Sequence, residues 1–155
     1  MVTNTDITQI KEFLKSKKIG DFVSLKLSSE DKPGDNDNIF KNFIINDIKT
    51  AIWLLEETPQ LVFAISGKLN HEFDDFATTL LGFKDNKAVI ISSNWIKSKR
   101  NRNLELVCTN DKVSITNDDW NVSLDNSTFN DNATNIAEAA FLSSQKGIPI
   151  YLDLK

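Results

Sequence analysis

One cysteine in 155 residues, Cys108, excludes an internal disulfide framework and fits a reducing compartment. Five glycines leave little from which to build a phosphate-cradling loop. No G-x-G-x-x-G, Walker A, C-x-x-C, G-x-S-x-G or EF-hand pattern occurs, so no cofactor is implied. One histidine, His71, is too few for the usual zinc sites, and no metal is expected. No apolar run approaches the ~20 residues a membrane-spanning helix needs. The first residues, "MVTNTDITQIKEFLK", lack the apolar stretch of a secretory signal. The chain is therefore expected to be cytoplasmic, with no membrane partner.

Excess positive charge is also missing. The net charge of −4 makes general attraction to nucleic acid unexpected. The charge is uneven, however. "KSKRNR", residues 97–102, carries four cations, and with Trp95 just ahead it could meet phosphates and stack on a base. Its isolation in an acidic chain favours an exposed loop or helix end. From Thr116 to Ala133 there are four aspartates and no lysine or arginine.

What is present reads as a single α+β domain over 1–155, of ordinary composition and with room for a core. Asp6 with Gln9 forms a capping box ahead of the apolar face Ile7, Ile10, Phe13 and Leu14. "DFVSLKLSS" alternates as a half-buried strand. "IFKNFIIN" suits either a strand or the lead-in to a helix capped by Asn46 and ended by Thr58-Pro59. "LVFAIS" and "AVIISS" read as buried strands. Between them, Asn70 caps a helix whose inward face is Phe73, Phe76, Ala77, Leu80 and Leu81, closed by Gly82. "LELVCT-ND-KVSIT" reads as a hairpin with Asn110-Asp111 at its turn, and "WNVSLD" extends it to a meander. Residues 132–146 form a last helix before the strand "IPIYLDL". The expected fold is a mixed, largely antiparallel sheet with a β-meander in the second half and about four helices packed on it.

Two segments carry chemistry. In "NHEFDDF", His71 stands beside Glu72, Asp74 and Asp75, a set able to move protons as a hydrolase or nuclease would. The capped helix start explains more of these residues, since acidic groups favour a helix's first turn. Cys108, between Val107 and Thr109 in a strand, reads as a buried inert thiol. The acidic stretch offers a binding surface: Trp120 and Phe129 as anchors, ringed by Asp118, Asp119, Asp125 and Asp131. Against this, Trp120 could face the core and the aspartates could be turn residues.

With no catalytic motif, these features point to a small acidic protein-binding domain with a basic protein partner. Bacterial immunity proteins, which act as inhibitors of a cognate nuclease-type toxin, have this general character. The alternatives are a small hydrolase or nuclease built on His71, or a scaffolding module.

Overall fold

The computed structural model describes residues 6–33, 38–96, 99–116, 120, 122 and 124–153. Both halves of the expected capping box start α1 (Ile7–Ser16). The Asp6 carboxylate accepts from Gln9 N at 2.8 Å, and Gln9 Oε1 accepts from Asp6 N at 2.9 Å. Lys17, at φ 55°, ends the helix. Gly20, at φ 101°, then lets the chain pass against the turn after Cys108, where a Cβ would stand 2.1 Å from Thr109 Oγ1. β1 (Phe22–Glu30) follows.

The ambiguous 39–46 segment is helical. A π-helical turn, Phe40–Ile44, runs without a break into α2 (Ile45–Leu55). Asn46 therefore lies inside the helix and caps nothing, while Phe40, Phe43 and Ile44 enter the core. Glu56, at φ 54°, closes α2 ahead of Pro59.

β2 (Leu61–Gly67), β3 (Phe76–Gly82) and β4 (Ala88–Asn94) form an antiparallel run. β3 occupies the ground assigned to a helix from Asn70. Phe76, Ala77, Leu80 and Leu81 satisfy both periods, but Thr78 and Thr79 are β-branched, and β3 has strands to pair with on both sides. The β3–β4 turn carries Asp85 and Asn86, each at φ 61°, the left-handed pair a tight hairpin favours. That geometry was expected at Asn110-Asp111, where neither residue has positive φ.

β5 (Asn101–Cys108) and β6 (Lys112–Ile115) make the expected hairpin. It does not extend to a meander, because residues 120, 122 and 124–126 are not in a strand. α3 (Ser127–Lys146) begins five residues earlier than expected, with Asn126 Oδ1 accepting from Phe129 N at 3.1 Å. β7 is only Ile150–Tyr151.

The seven strands form one mixed sheet in the order β6-β5-β1-β4-β3-β2-β7. β1 pairs with β4 in parallel; the other five pairings are antiparallel. The expectation of four helices and a second-half meander is thus corrected, among the described residues, to three α-helices, one π-helical turn and this open sheet. The helix missing from the count is the one expected over 70–82, whose residues 76–82 form a central strand.

α3 packs on β2 and against α2, and α1 packs on α2. Leu25, Leu27, Val62, Leu81, Val89, Ile91, Leu104 and Leu106 fill the covered side with Ile48, Ala51, Ile136 and Ala140. Alternation sends Phe63, Leu80, Ile90, Lys26, Glu105 and Ser114, one register row, to the opposite face. No helix among the described residues is long and apolar enough to cross a membrane.

Candidate functional site

β1, β2 and β4 run in one direction, since β1 is parallel to β4 and β2 reaches β4 through antiparallel β3. The segments that follow these strands leave from the same edge of the sheet. Open sheets place ligand sites outside the carboxyl ends of their strands, where neighbouring connections part.

Asp75 organises that edge. Its N–H donates to Gly67 O at 2.8 Å, and its carbonyl accepts from Trp95 N at 2.7 Å. One residue thereby fastens the ends of β2 and β4 to the start of β3. Its carboxylate is buried and folds the 68–75 loop around itself. Oδ2 accepts from the backbone N–H groups of Leu69 at 2.6 Å, Asn70 at 2.8 Å and His71 at 3.3 Å. Oδ1 meets His71 Nδ1 in a short contact. Burial pushes the Asp75 carboxyl up, but the amides of Leu69 and Asn70 and the His71 ring outweigh it, leaving the group at about 2. An ionised carboxylate only accepts, so His71 Nδ1 is the donor in this contact, and in the neutral ring Nε2 is left as the acceptor. Asp74, alongside, accepts from Ser66 Oγ at 2.9 Å.

An aromatic row leads from this loop to the core. The half-exposed His71 ring stacks on Phe73, with centroids 4.6 Å apart. Phe73 meets Trp95 edge-on at 6.1 Å, and Trp95 leans on Phe43 of the π-helical turn at 5.8 Å. Beside the row a cleft of about 300 Å³ is lined by Lys68, Glu72, Asp74, Asn38 and Gln145 over Phe73 and Phe141. The cleft can hold a small polar molecule beside Glu72 and Asp74, while His71 and Asp75 lie next to it and not in its wall.

A buried polar cluster underlies the same edge. Arg102 Nη2 donates to Asp47 Oδ1 at 2.5 Å, Nη1 to Trp120 O at 2.5 Å, and Nε to Ser29 Oγ at 3.3 Å. Ser29 Oγ donates to Asp47 Oδ2 at 2.7 Å, and the Trp120 indole N–H reaches Thr50 Oγ1 at 3.1 Å. Every guanidinium nitrogen has an acceptor inside the protein. The cluster locks β1, β5, α2 and residue 120 together.

The sequence-derived sites fare unevenly. His71 and Asp75 come together, in a loop and not on a helix; Glu72 and Asp74 face the cleft. Among the described residues no group of three or more metal-ligating side chains is assembled. Trp120 is buried with its ring under the Arg102 guanidinium at 4.1 Å, so it anchors the interior. Phe129 is half-buried, Asp125 and Asp131 are exposed on or before α3, and Asp118 and Asp119 lie outside the described residues. The basic run is not one loop. Arg102, second residue of β5, points inward, Arg100 lies 3.5 Å from Asp31, and Trp95 is buried; Lys97 is outside the described residues. Cys108 is buried, and burial raises its thiol, with Asp21 adding to the shift. Asp47, Ser29 and Arg102 were missed. Alternation from Arg102 through Leu104 and Leu106 to Cys108 already places the arginine on the inward face.

The GFO/IDH/MocA C-terminal domain pattern matches residues 7–114. The chain belongs to that family. This replaces the toxin-neutralising inhibitor and the nuclease suggested by composition, and removes the argument for a basic toxin partner. No curated protein matches significantly. Among solved structures, the chain is similar to a myo-inositol dehydrogenase from Corynebacterium glutamicum, with a TM-score of 0.79, 14% identity, and 96% of this chain covering 62% of that one. It is similar to the myo-inositol dehydrogenase from Lactobacillus casei in complex with NAD(H) and myo-inositol, with a TM-score of 0.75, 14% identity, and coverage of 98% and 60%. It also resembles GenD2 from gentamicin A biosynthesis in complex with NAD, with a TM-score of 0.79, 12% identity, and coverage of 95% and 60%. At these identities the likeness establishes the fold. The chain spans about 60% of the length of these structures.

Proposed function

We propose that this chain is the substrate-facing domain of a GFO/IDH/MocA-type oxidoreductase acting on a small hydroxyl-bearing compound. The compound binds at the carboxyl edge of β1, β2 and β4. His71 Nε2 exchanges the hydroxyl proton, and Asp75 holds the ring in the tautomer that allows it. The observation that carries this reading is the buried Asp75 carboxylate, which closes the loop around itself and aims an otherwise solvent-facing histidine. Family membership and the shared fold support the reaction class.

The described residues do not form a cradle for a nicotinamide dinucleotide. A pyrophosphate cradle needs glycines in a turn leading from a strand into a helix. Of the described glycines, Gly67 and Gly82 end strands that lead to other strands, Gly20 precedes β1, and Gly147 closes α3. In this reading the dinucleotide is held by another part of the oxidoreductase, and this domain supplies the substrate-facing groups.

The test is two titrations of the 155-residue chain. NADH fluorescence should show no binding. With myo-inositol as the probe, NMR should show shifts in the amides of 69–75 and of Trp95, and His71→Ala should reduce them. Tight NADH binding would overturn the division of labour, and shifts confined to other parts of the fold would overturn the site.

A further inference from the structure

Phe73 belongs both to the cleft and to the His71 assembly. It lines the cleft with Glu72 and Asp74, and its ring carries the His71 imidazole in a near-parallel stack, with 15° between the planes and 4.6 Å between centroids. Phe73 is also held from behind. It packs, partly buried, against the core and meets Trp95 edge-on at 77°. Trp95 is only 4% exposed, leans on Phe43, and donates its backbone N–H to Asp75 O at 2.7 Å. Asp75 and Phe73, which both touch the His71 ring, are therefore tied to one another through Trp95.

The two act on the ring differently. The contact with Asp75 Oδ1 fixes Nδ1 but not the plane of the ring, because the outer torsion of a histidine has broad wells. A half-exposed ring anchored at one atom can still swing. The Phe73 face removes that freedom: the near-parallel contact sets the plane and, with Nδ1 fixed, the direction in which Nε2 points. An aromatic contact of this kind is worth a factor of about two to ten in an equilibrium. That is enough to favour one ring orientation over its half-turn alternative.

We infer that Phe73 is a positioning residue: it holds the plane of the His71 ring, and a compound in the cleft, by touching Phe73, acts on His71 through it. The inference deepens the function proposed above and rests on His71 as the proton-exchanging group. It explains how a histidine outside the cleft wall answers to what the cleft holds.

The experiment is NMR of the whole chain with two variants, Phe73→Leu, which keeps apolar bulk, and Phe73→Tyr, which keeps the ring. In ligand-free wild type, at least one carbon-bound proton of the His71 ring should lie upfield of its place in an unstructured peptide, as a proton over an aromatic face does. Phe73→Leu should lose that shift and, at alkaline pH with Asp75 intact, should lower the preference for Nδ1–H by about two- to tenfold. Phe73→Tyr should retain both signatures. A residue that merely fills space would leave the tautomer unchanged. Myo-inositol is the probe for the cleft. In wild type it should move the His71 ring signals together with the amides of 68, 72 and 74, and in Phe73→Leu the amides without the ring. A wild-type ring with no upfield shift, a tautomer preference equal in wild type and Phe73→Leu, or a ring response to myo-inositol that survives Phe73→Leu would each overturn the inference. Intact ligand-free signatures with no response to myo-inositol would uphold the orienting role and count against the compound class proposed above.

Discussion

Arg102 of β5 and Asp47 of α2 form an ion pair at 2.5 Å with side chains only 5% and 2% exposed. Neither group can turn to water if the other is lost. Arg102→Met should therefore cost ~3–5 kcal/mol, the range for breaking a buried pair, and Asp47→Leu a similar amount. The double variant should recover part of the loss, since it leaves no orphaned charge. Urea unfolding of the three proteins checks this. A single-variant loss near that of an exposed ion pair would show that the network is not closed to solvent.

Trp120 and Phe129 separate for the same reason. The indole sits inside, between Thr50 and the Arg102 guanidinium, whereas Phe129 borders an open cavity. Trp120→Ala should lower stability by ~3–5 kcal/mol, and Phe129→Ala by much less. Denaturation midpoints of the two variants decide it. Comparable losses would place Phe129 in the core as well.

Local rules carried the reading where the side chains left no choice. The Asp6–Gln9 box started α1, and alternation in 22–29 and 104–115 gave paired strands. They failed where two periods fit the same residues. Phe73, Phe76, Ala77, Leu80 and Leu81 suit a helix, and the carboxylates near Asn70 suit its first turn. The fold instead needs a strand between β2 and β4, and long-range pairing decides. The same error misplaced the geometry of the candidate site. On a helix, His71 and Asp75 at i and i+4 would be surface neighbours. In the loop, Asp75 turns inward, takes three backbone amides and becomes the part on which the loop is built. The open cavity beside Phe129 had no local signature, because its walls come from α1, α2, α3 and the ends of three strands.

The Asp75 carboxylate makes the 68–75 loop sensitive to acid in a stated direction. Its value in the folded protein, about 2, lies below the ordinary 3.8. A group with a depressed folded value contributes its full stabilisation above the ordinary value and loses it as pH falls toward the folded one. Wild type should therefore exceed Asp75→Asn in stability by a roughly constant margin at neutral pH, about 1–3 kcal/mol for a charged acceptor exchanged for a neutral one. The margin should shrink as pH falls from near 4 toward 2. Ring-nitrogen NMR of His71 at alkaline pH provides a second readout: the neutral ring should carry its proton on Nδ1 in wild type, and Asp75→Asn should weaken that preference. A margin that stays level down to pH 2, or a His71 tautomer indifferent to Asp75→Asn, would mean that the carboxylate neither ionises low nor orients the ring.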